Sequence, residues 1–237
     1  MSRWGMRSDR LTVRAILLSL ALLGGHRVAE ASVTVPAEVE RALLDVARKE
    51  LAQDALAAGA ESTRSGGNED ASHSDGRKDA VHAGGSEEPV GSVALSVEGE
   101  AISLSSSQRA ELAKILDREV GESLRRYAVI RNGTEILLLG YLDTHRVRTV
   151  SESLCIVLTP SGEVRDVLVL AFAEPPEYQP APVWYAQFRG LEPESRLKYG
   201  REIDAVTGAT LTGRATVDAV ARVRKIHRWL LEQEARP

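Results

Sequence analysis

The sequence has 237 residues, of which 30 are Lys or Arg and 34 are Asp or Glu, and 43 % of it is apolar. This length allows one or two domains with a buried core. A net charge of −4 argues against a dedicated nucleic-acid-binding protein, because such proteins usually carry a basic surplus. The single cysteine excludes an intramolecular disulfide, a CxxC zinc site and a c-type haem attachment motif.

Residues 1–31 have the pattern of a secretory signal peptide. Arginines precede an apolar run from Ala15 to Gly25, which is shorter than the roughly 20 residues of a membrane span. The small-x-small triplet at 29–31 predicts cleavage before Ser32, which leaves 25 basic and 32 acidic groups, a net charge of −7. We therefore expect an exported, periplasmic protein. The alternative is an uncleaved signal anchor that holds the chain at the membrane.

The next two segments differ sharply in composition. Within residues 32–58, apolar residues at four-residue spacing predict a helix over 38–58, which packs on the main domain or docks a partner. Residues 59–92 hold seven of the 19 glycines and no Leu, Ile, Met, Phe, Tyr or Trp. Such a segment cannot bury enough apolar surface to offset its ordering entropy, so we predict a disordered tether. We also expect residues 32–92 to be dispensable for the folding of the rest.

Residues 93–237 are predicted to form one α+β domain, a small mixed or antiparallel sheet with packed helices. Serines 105–107 would cap the first helix. Asn132-Gly133 and Pro160-Ser161-Gly162 predict two tight turns between strands. The predicted elements are a helix over Gln108–Leu124, strands over Tyr127–Arg131, Glu135–Leu142, Ser153–Thr159 and Glu163–Ala171, and a helix over Arg214–Leu231.

The segment 204–213, DAVTGATLTG, lies just before the last helix and is rich in small residues and hydroxyls. Gly208 and Ala209 would let the backbone approach a ligand closely. The helix N-terminus behind them would present unpaired N–H groups and a partial positive charge, a combination that favours a phosphate. Hydroxyl donors come from three threonines, Thr207, Thr210 and Thr212.

The same residues exclude two common phosphate-binding motifs and leave one structural alternative. It has neither the GxGxxG fingerprint of a dinucleotide-binding fold nor the lysine of a P-loop. The alternative is a purely structural role, in which Thr210 or Thr212 caps the helix and the rest of the segment is a tight turn. The residues alone leave the phosphate site and the cap both open.

The pattern Asp-x-x-Thr-Gly-Ala-Thr-x-Thr in this segment resembles the flavinylation signature of the FMN-binding domain family. That family includes the flavin-bearing peripheral subunits of the sodium-pumping NADH:quinone oxidoreductase and of Rnf complexes, and stand-alone exported proteins. The resemblance implies that an FAD:protein FMN transferase attaches FMN through a phosphoester to the last threonine, here Thr212. The other cofactor-binding positions that it implies are Asp204, Thr207, Gly208, Ala209, Thr210, Leu211, Gly213 and Arg214.

A flavin ring needs an aromatic or apolar surface and polar groups that tune its potential. Tyr178, Trp184 and Tyr185 are candidates for this surface, and core packing is the competing role. His145 is a candidate for contact or proton exchange with the flavin, and a structural hydrogen bond is its alternative. Its charged neighbours predict a position near the surface. Arg214 would contact the phosphate, or else be a solvated helix charge.

The leading hypothesis is an exported flavoprotein with covalent FMN that relays electrons between a membrane-bound donor and a periplasmic acceptor. Its expected partners are the FMN transferase and a membrane electron-transport complex. One alternative is a flavin-dependent reductase of a small acceptor, although no catalytic pair and no metal-ligand pattern stands out. The other is a binding or assembly module in which the motif is only a helix cap.

Overall fold

The structure, a computed structural model, describes residues 29–64 and 93–236. Six antiparallel strands lie in the sheet in the order of the chain: β1 Ala29–Val33, β2 Leu95–Ser103, β3 Ser123–Arg131, β4 Glu135–Val147, β5 Val150–Leu158 and β6 Val164–Phe172. The α-helices are α1 Ala37–Arg64, α2 Ser106–Leu116, α3 Pro182–Tyr185 and α4 Thr210–Glu234, and 3-10 turns cover Pro176–Tyr178 and Ala186–Phe188. The predicted α+β class is confirmed, and the sheet is wholly antiparallel.

Helices cover both faces of the sheet, because successive strand residues point to opposite sides. On one face, Leu43 of α1 is fully buried against β3, β4 and β5. On the other face, α4 packs its apolar side on the same strands through residues such as Val220 and Trp229. Cys155 of β5 lies under α1, where burial raises the pKa of its thiol to about 12, so it is the expected buried strand residue.

The two predicted turns have the backbone geometry that their residues favour. Asn132 and Gly133 both adopt positive φ angles, of 51° and 74°, as a two-residue hairpin requires. Gly162 has a φ of 95°, and its N–H donates to the carbonyl of Thr159 over 2.9 Å. Both turn predictions are confirmed.

Helix α1 belongs to the same core as the sheet. Val39, Leu43, Val46 and Ala47 are all buried in it, so the helix packs on its own sheet. The expectation that residues 32–92 are dispensable for folding stays a prediction, and the burial of this helix argues against it, because its removal would uncover one face of the sheet. The helix also continues to Arg64, so residues 59–64 of the predicted tether are helical. Residues 65–92 lie outside the described residues.

The helix predicted to reach Leu124 ends at Leu116 instead. Asp117 takes a left-handed conformation with a φ of 52°, and Leu124 pairs with Ile102 of β2. Sheet pairing thus overrides an apolar spacing that also suits a helix. The N-cap prediction is confirmed, because the Gln108 N–H donates to Ser105 Oγ over 3.2 Å.

The predicted signal peptide lies outside the described residues, except for its last three, which begin β1. The sequence did not predict this strand, which pairs with β2 from Ala29↔Ser103 to Val33↔Gly99. The predicted cleavage before Ser32 falls inside it and would leave two of its residues. Within 29–64 and 93–236, each helix is too short or too polar to cross a membrane. Export and cleavage stay predictions.

Candidate functional site

The motif forms a loop that leads directly into α4. Ala209 is the N-cap residue, and no side chain caps the helix there. The first helical N–H groups, those of Thr210, Leu211 and Thr212, therefore have neither an intrahelical carbonyl nor a side-chain cap. The alternative in which Thr210 or Thr212 is the N-cap is wrong, because both residues lie inside the helix.

Thr212 is the third residue of α4 and is only 1 % exposed. Its carbonyl accepts a hydrogen bond from Thr216 Oγ1 over 3.0 Å. Among the residues that the structure describes, none forms a hydrogen bond with the Thr212 hydroxyl. The described part of the chain thus places no base beside this oxygen.

Two glycines of the motif meet different constraints. Gly208 is exposed and has a φ of 83°, a conformation that favours glycine, and a Cβ there would meet just Glu177 O at 3.9 Å. Gly213 is buried, and a Cβ there would lie 2.6 Å from Tyr199 Cε2. Gly208 therefore supplies a backbone conformation, whereas Gly213 leaves room for an aromatic ring.

Tyr199 ties the motif loop to the helix. Its hydroxyl accepts a hydrogen bond from the Val206 N–H over 2.9 Å, and its ring fills the space beside Gly213. The exposed Arg214 lies with its guanidinium 5.7 Å from the centre of the same ring. Arg214, the fifth residue of α4, thus lies close to the ring that fills the space beside Gly213.

The three predicted aromatic residues differ in their burial and their contacts. Trp184 is buried in the core, and its Nε1–H donates to the carbonyl of Asp204 over 2.8 Å. Tyr185 is also buried, with its ring edge-on to Trp184. Tyr178 is half-buried and lies under the guanidinium of Arg148, 4.4 Å from the ring centre. Core packing therefore explains the position of Trp184, and its hydrogen bond fixes the first residue of the motif.

His145 belongs to a buried network of charged groups where β4, β5 and α4 meet. Its Nδ1 lies 2.9 Å from Asp143 Oδ1, and its Nε2 lies 3.0 Å from Glu152 Oε2. Arg222 of α4 donates two hydrogen bonds to Asp143, over 2.8 and 2.7 Å. The side chain of His145 is 7 % exposed, so the expectation of a surface position is wrong. The structural hydrogen bond is the alternative that the geometry supports.

The network fixes the charges of its members. Burial would lower the pKa of His145, but the hydrogen bonds to Asp143 and Glu152 raise that pKa to about 9. Burial would likewise raise the pKa of Asp143, but His145 and Arg222 lower it to about 2. Near neutral pH the imidazole therefore stays protonated between two acidic side chains, and His145 is a poor proton donor and acceptor there.

Sequence reasoning missed Tyr199, Glu152 and Arg222 as parts of this region. A signal for Glu152 existed, because it alternates with Leu154 and Ile156 on the face of β5 that points into the core under α4. A charged residue in an inward position is unusual. No comparable pattern marks Tyr199, since its contact with Gly213 depends on how the loop folds back.

Comparison with known proteins identifies the domain. Residues 153–225 match the FMN-binding domain family. The chain contains an FMN-binding domain. The matched range covers the last two thirds of β5, all of β6, the motif and the first part of α4.

Other comparisons add little to this identification. The crystal structure of Shewanella oneidensis NqrC superposes with a TM-score of 0.42 and 18 % identity, covering 56 % of this chain and 68 % of that chain. No curated protein sequence matches the chain. The assignment to the flavoproteins rests on the FMN-binding domain and on the motif that it contains.

The residues of the motif fit the phosphate end of FMN. Three N–H groups at the start of α4 lack intrahelical or side-chain partners, and the helix dipole adds partial positive charge there. Arg214 follows in the first turns of the same helix, and its side chain is exposed. Gly208 has no side chain, and the space next to its Cα is nearly empty. These N–H donors suit an anion, and the predicted positions from 207 to 214 lie around them in the loop and the first turns of α4. His145 contacts Asp143 and Glu152 instead.

Proposed function

We propose that this protein carries FMN as a phosphoester on Thr212 and relays electrons between a membrane-bound donor and a periplasmic acceptor. One observation carries the proposal. In a chain that contains an FMN-binding domain, the complete Asp-x-x-Thr-Gly-Ala-Thr-x-Thr pattern lies at a helix N-terminus without a side-chain cap, with Thr212 as the third helical residue.

The helix start is suited to hold the product of such an attachment. A phosphodiester keeps one negative charge, which the uncapped N–H groups and the helix dipole stabilise. Arg214 can add a charge-assisted contact, because its side chain is exposed at this end of α4. The bound flavin supplies the redox chemistry, and the role of the chain is to hold and tune it.

The attachment itself requires an external enzyme. A threonine hydroxyl is a weak nucleophile, and no described residue offers a base to Thr212. In the transfer, Thr212 Oγ1 bonds to the flavin-side phosphorus of FAD, the bond between the two phosphates breaks, and AMP leaves. The hydroxyl proton passes to a base of the transferase. Since Thr212 is 1 % exposed, its surroundings must open before the transferase can reach it.

The proposed location rests on the sequence. The N-terminal signal pattern supports export, and the same apolar run supports the alternative of a membrane anchor. A covalent link suits a protein outside the cytoplasm, where a lost cofactor is not readily replaced. A membrane electron-transport complex is the proposed source of electrons.

Co-expression with an FAD:protein FMN transferase tests the attachment. The full chain should give a flavin-fluorescent band on a denaturing gel, and Thr212→Ala should give none. Thr134→Ala is the control, because Thr134 is an exposed threonine outside the motif, and it should keep the band. An unlabelled wild-type band would refute the proposal.

Reoxidation kinetics test the electron-carrier role. The reduced flavoprotein should pass electrons to several small acceptors at slow, similar rates, as expected of a carrier without a substrate site. Fast oxidation that is selective for one small acceptor would favour the flavin-dependent reductase instead.

A further inference from the structure

Two buried polar atoms near the motif have no hydrogen-bond partner among the described residues. They are Glu152 Oε1 and the hydroxyl of Tyr185. Glu152 is 1 % exposed and Tyr185 is 6 % exposed. Burial, and after it the negative charge of Glu152, raises the pKa of Tyr185, so the two groups interact electrostatically. A buried polar atom without a partner is energetically unfavourable, so this pair requires an explanation.

The rest of the Glu152 carboxylate is fixed. Its Oε2 pairs with His145 Nε2 over 3.0 Å, and His145 is held in turn by Asp143. Asp143 is anchored to α4 by the two hydrogen bonds from Arg222. This chain of contacts orients one oxygen of Glu152 within the network and leaves the other free to accept a hydrogen bond.

Both atoms lie at the end of the sheet that carries the motif. Tyr185 directly follows Trp184, whose Nε1–H donates to the carbonyl of Asp204. Glu152 is near the start of β5, beside the turn that joins it to β4. From this turn Arg148 reaches the ring of Tyr178, and the carbonyl of Glu177 faces Gly208. The Glu152–Tyr185 pair and the motif therefore belong to one region.

The chemistry of the pair complements one edge of a flavin. The pyrimidine edge of the isoalloxazine ring carries an N–H between two carbonyl groups. A carboxylate oxygen accepts from such an N–H, and a phenol donates to such a carbonyl. We propose that Glu152 and Tyr185 bind the pyrimidine edge of the flavin attached at Thr212, an inference that rests on the proposed function.

The two contacts should shift the flavin potential in opposite directions. Reduction adds electron density to the ring, which the negative charge of Glu152 disfavours and a hydrogen bond from Tyr185 favours. Glu152→Gln should therefore raise the midpoint potential, and Tyr185→Phe should lower it. At a fixed potential, each change should alter the ratio of reduced to oxidised flavin by about tenfold, as expected for one charge-assisted hydrogen bond.

The experiment uses the full chain co-expressed with the transferase and titrated reductively under visible absorption. Ser153→Ala is the matched control, because Ser153 is the next residue of β5 and bonds to Thr144 on the other face. It should leave the potential unchanged. Intact mass shows that each variant carries flavin, and the melt of each apoprotein shows that it folds. If Glu152→Gln does not fold, Tyr185→Phe decides alone, because it removes one oxygen and keeps the ring.

Opposite shifts in the two variants with full flavin attachment support the inference. Unchanged potentials and spectra in flavinylated Glu152→Gln and Tyr185→Phe overturn it, and the proposed function then stands. A melt that falls without a change in potential also overturns it, because the pair would then be purely structural. Wild-type protein without flavin refutes the proposed function first.

Discussion

At the scale of the residue, Gly213 has no room for a side chain. A Cβ there would lie 2.6 Å from Tyr199 Cε2, so Gly213→Ala must displace a ring whose hydroxyl bonds to Val206. Overpacking costs about 1–3 kcal/mol, and replacing a helical glycine by alanine returns up to about 1 kcal/mol. We expect a net loss of about 1–2 kcal/mol in the free energy of unfolding, measured by urea denaturation.

A matched glycine gives the control for this prediction. A Cβ on Gly121 would meet just Ser123 O at 4.0 Å, so Gly121→Ala should change stability by no more than about 0.5 kcal/mol. Equal stabilities of Gly213→Ala and Gly121→Ala would contradict the packing of Tyr199 against the motif.

The raised pKa of His145 predicts a pH dependence of stability. Its folded pKa of about 9 exceeds the ordinary value of 6.5, so its ion pairs stabilise the fold fully below pH 6.5. This contribution is lost as the pH rises through about 9. We expect the free energy of unfolding to fall by about 1–3 kcal/mol between pH 6 and pH 10, since one pKa unit is worth about 1.4 kcal/mol.

His145→Gln isolates this effect, because glutamine keeps hydrogen-bonding groups and does not titrate. The variant should be less stable than wild type at pH 6 and should lose less stability between pH 6 and pH 10. A wild-type curve that runs parallel to that of His145→Gln over this range would contradict a protonated His145.

At the scale of the element, α1 stabilises the sheet through one row of buried residues. Leu43 is fully buried, with its methyl groups close to Gly140, whereas Leu56 of the same helix is 75 % exposed. Leu43→Ala should cost about 2–5 kcal/mol, the usual range for a buried leucine. Leu56→Ala should cost less than about 0.5 kcal/mol. Chemical denaturation of both variants measures the difference, and similar costs would show that α1 does not cover the sheet.

The elements that the sequence predicted well are those with local signals. The hairpin at Asn132-Gly133 and the cap at Ser105 follow from backbone preferences of a few neighbouring residues. The error at Leu124 has the opposite cause, because an apolar residue there suits a helix and a strand alike. Its pairing with Ile102 decides the outcome, and that contact is distant in the sequence.

At the scale of the whole molecule, the sheet needs helices on both faces, and the two arise from distant parts of the chain. The α4 face could be predicted from its apolar pattern. The role of α1 could be predicted just in part, because its apolar spacing suits packing on the domain and docking a partner alike. The motif was found from its residue types and a family resemblance, whereas the Glu152–Tyr185 pair required the register of β5 and the position of α3.

The central claim is that Thr212 carries the flavin. Its most direct test is mass spectrometry of the full chain co-expressed with the transferase, first intact and then as proteolytic fragments. We predict one FMN phosphoester per chain, located on Thr212, absent from Thr212→Ala and retained in Thr134→Ala. A wild-type chain without the adduct, or an adduct that persists in Thr212→Ala, would contradict the claim.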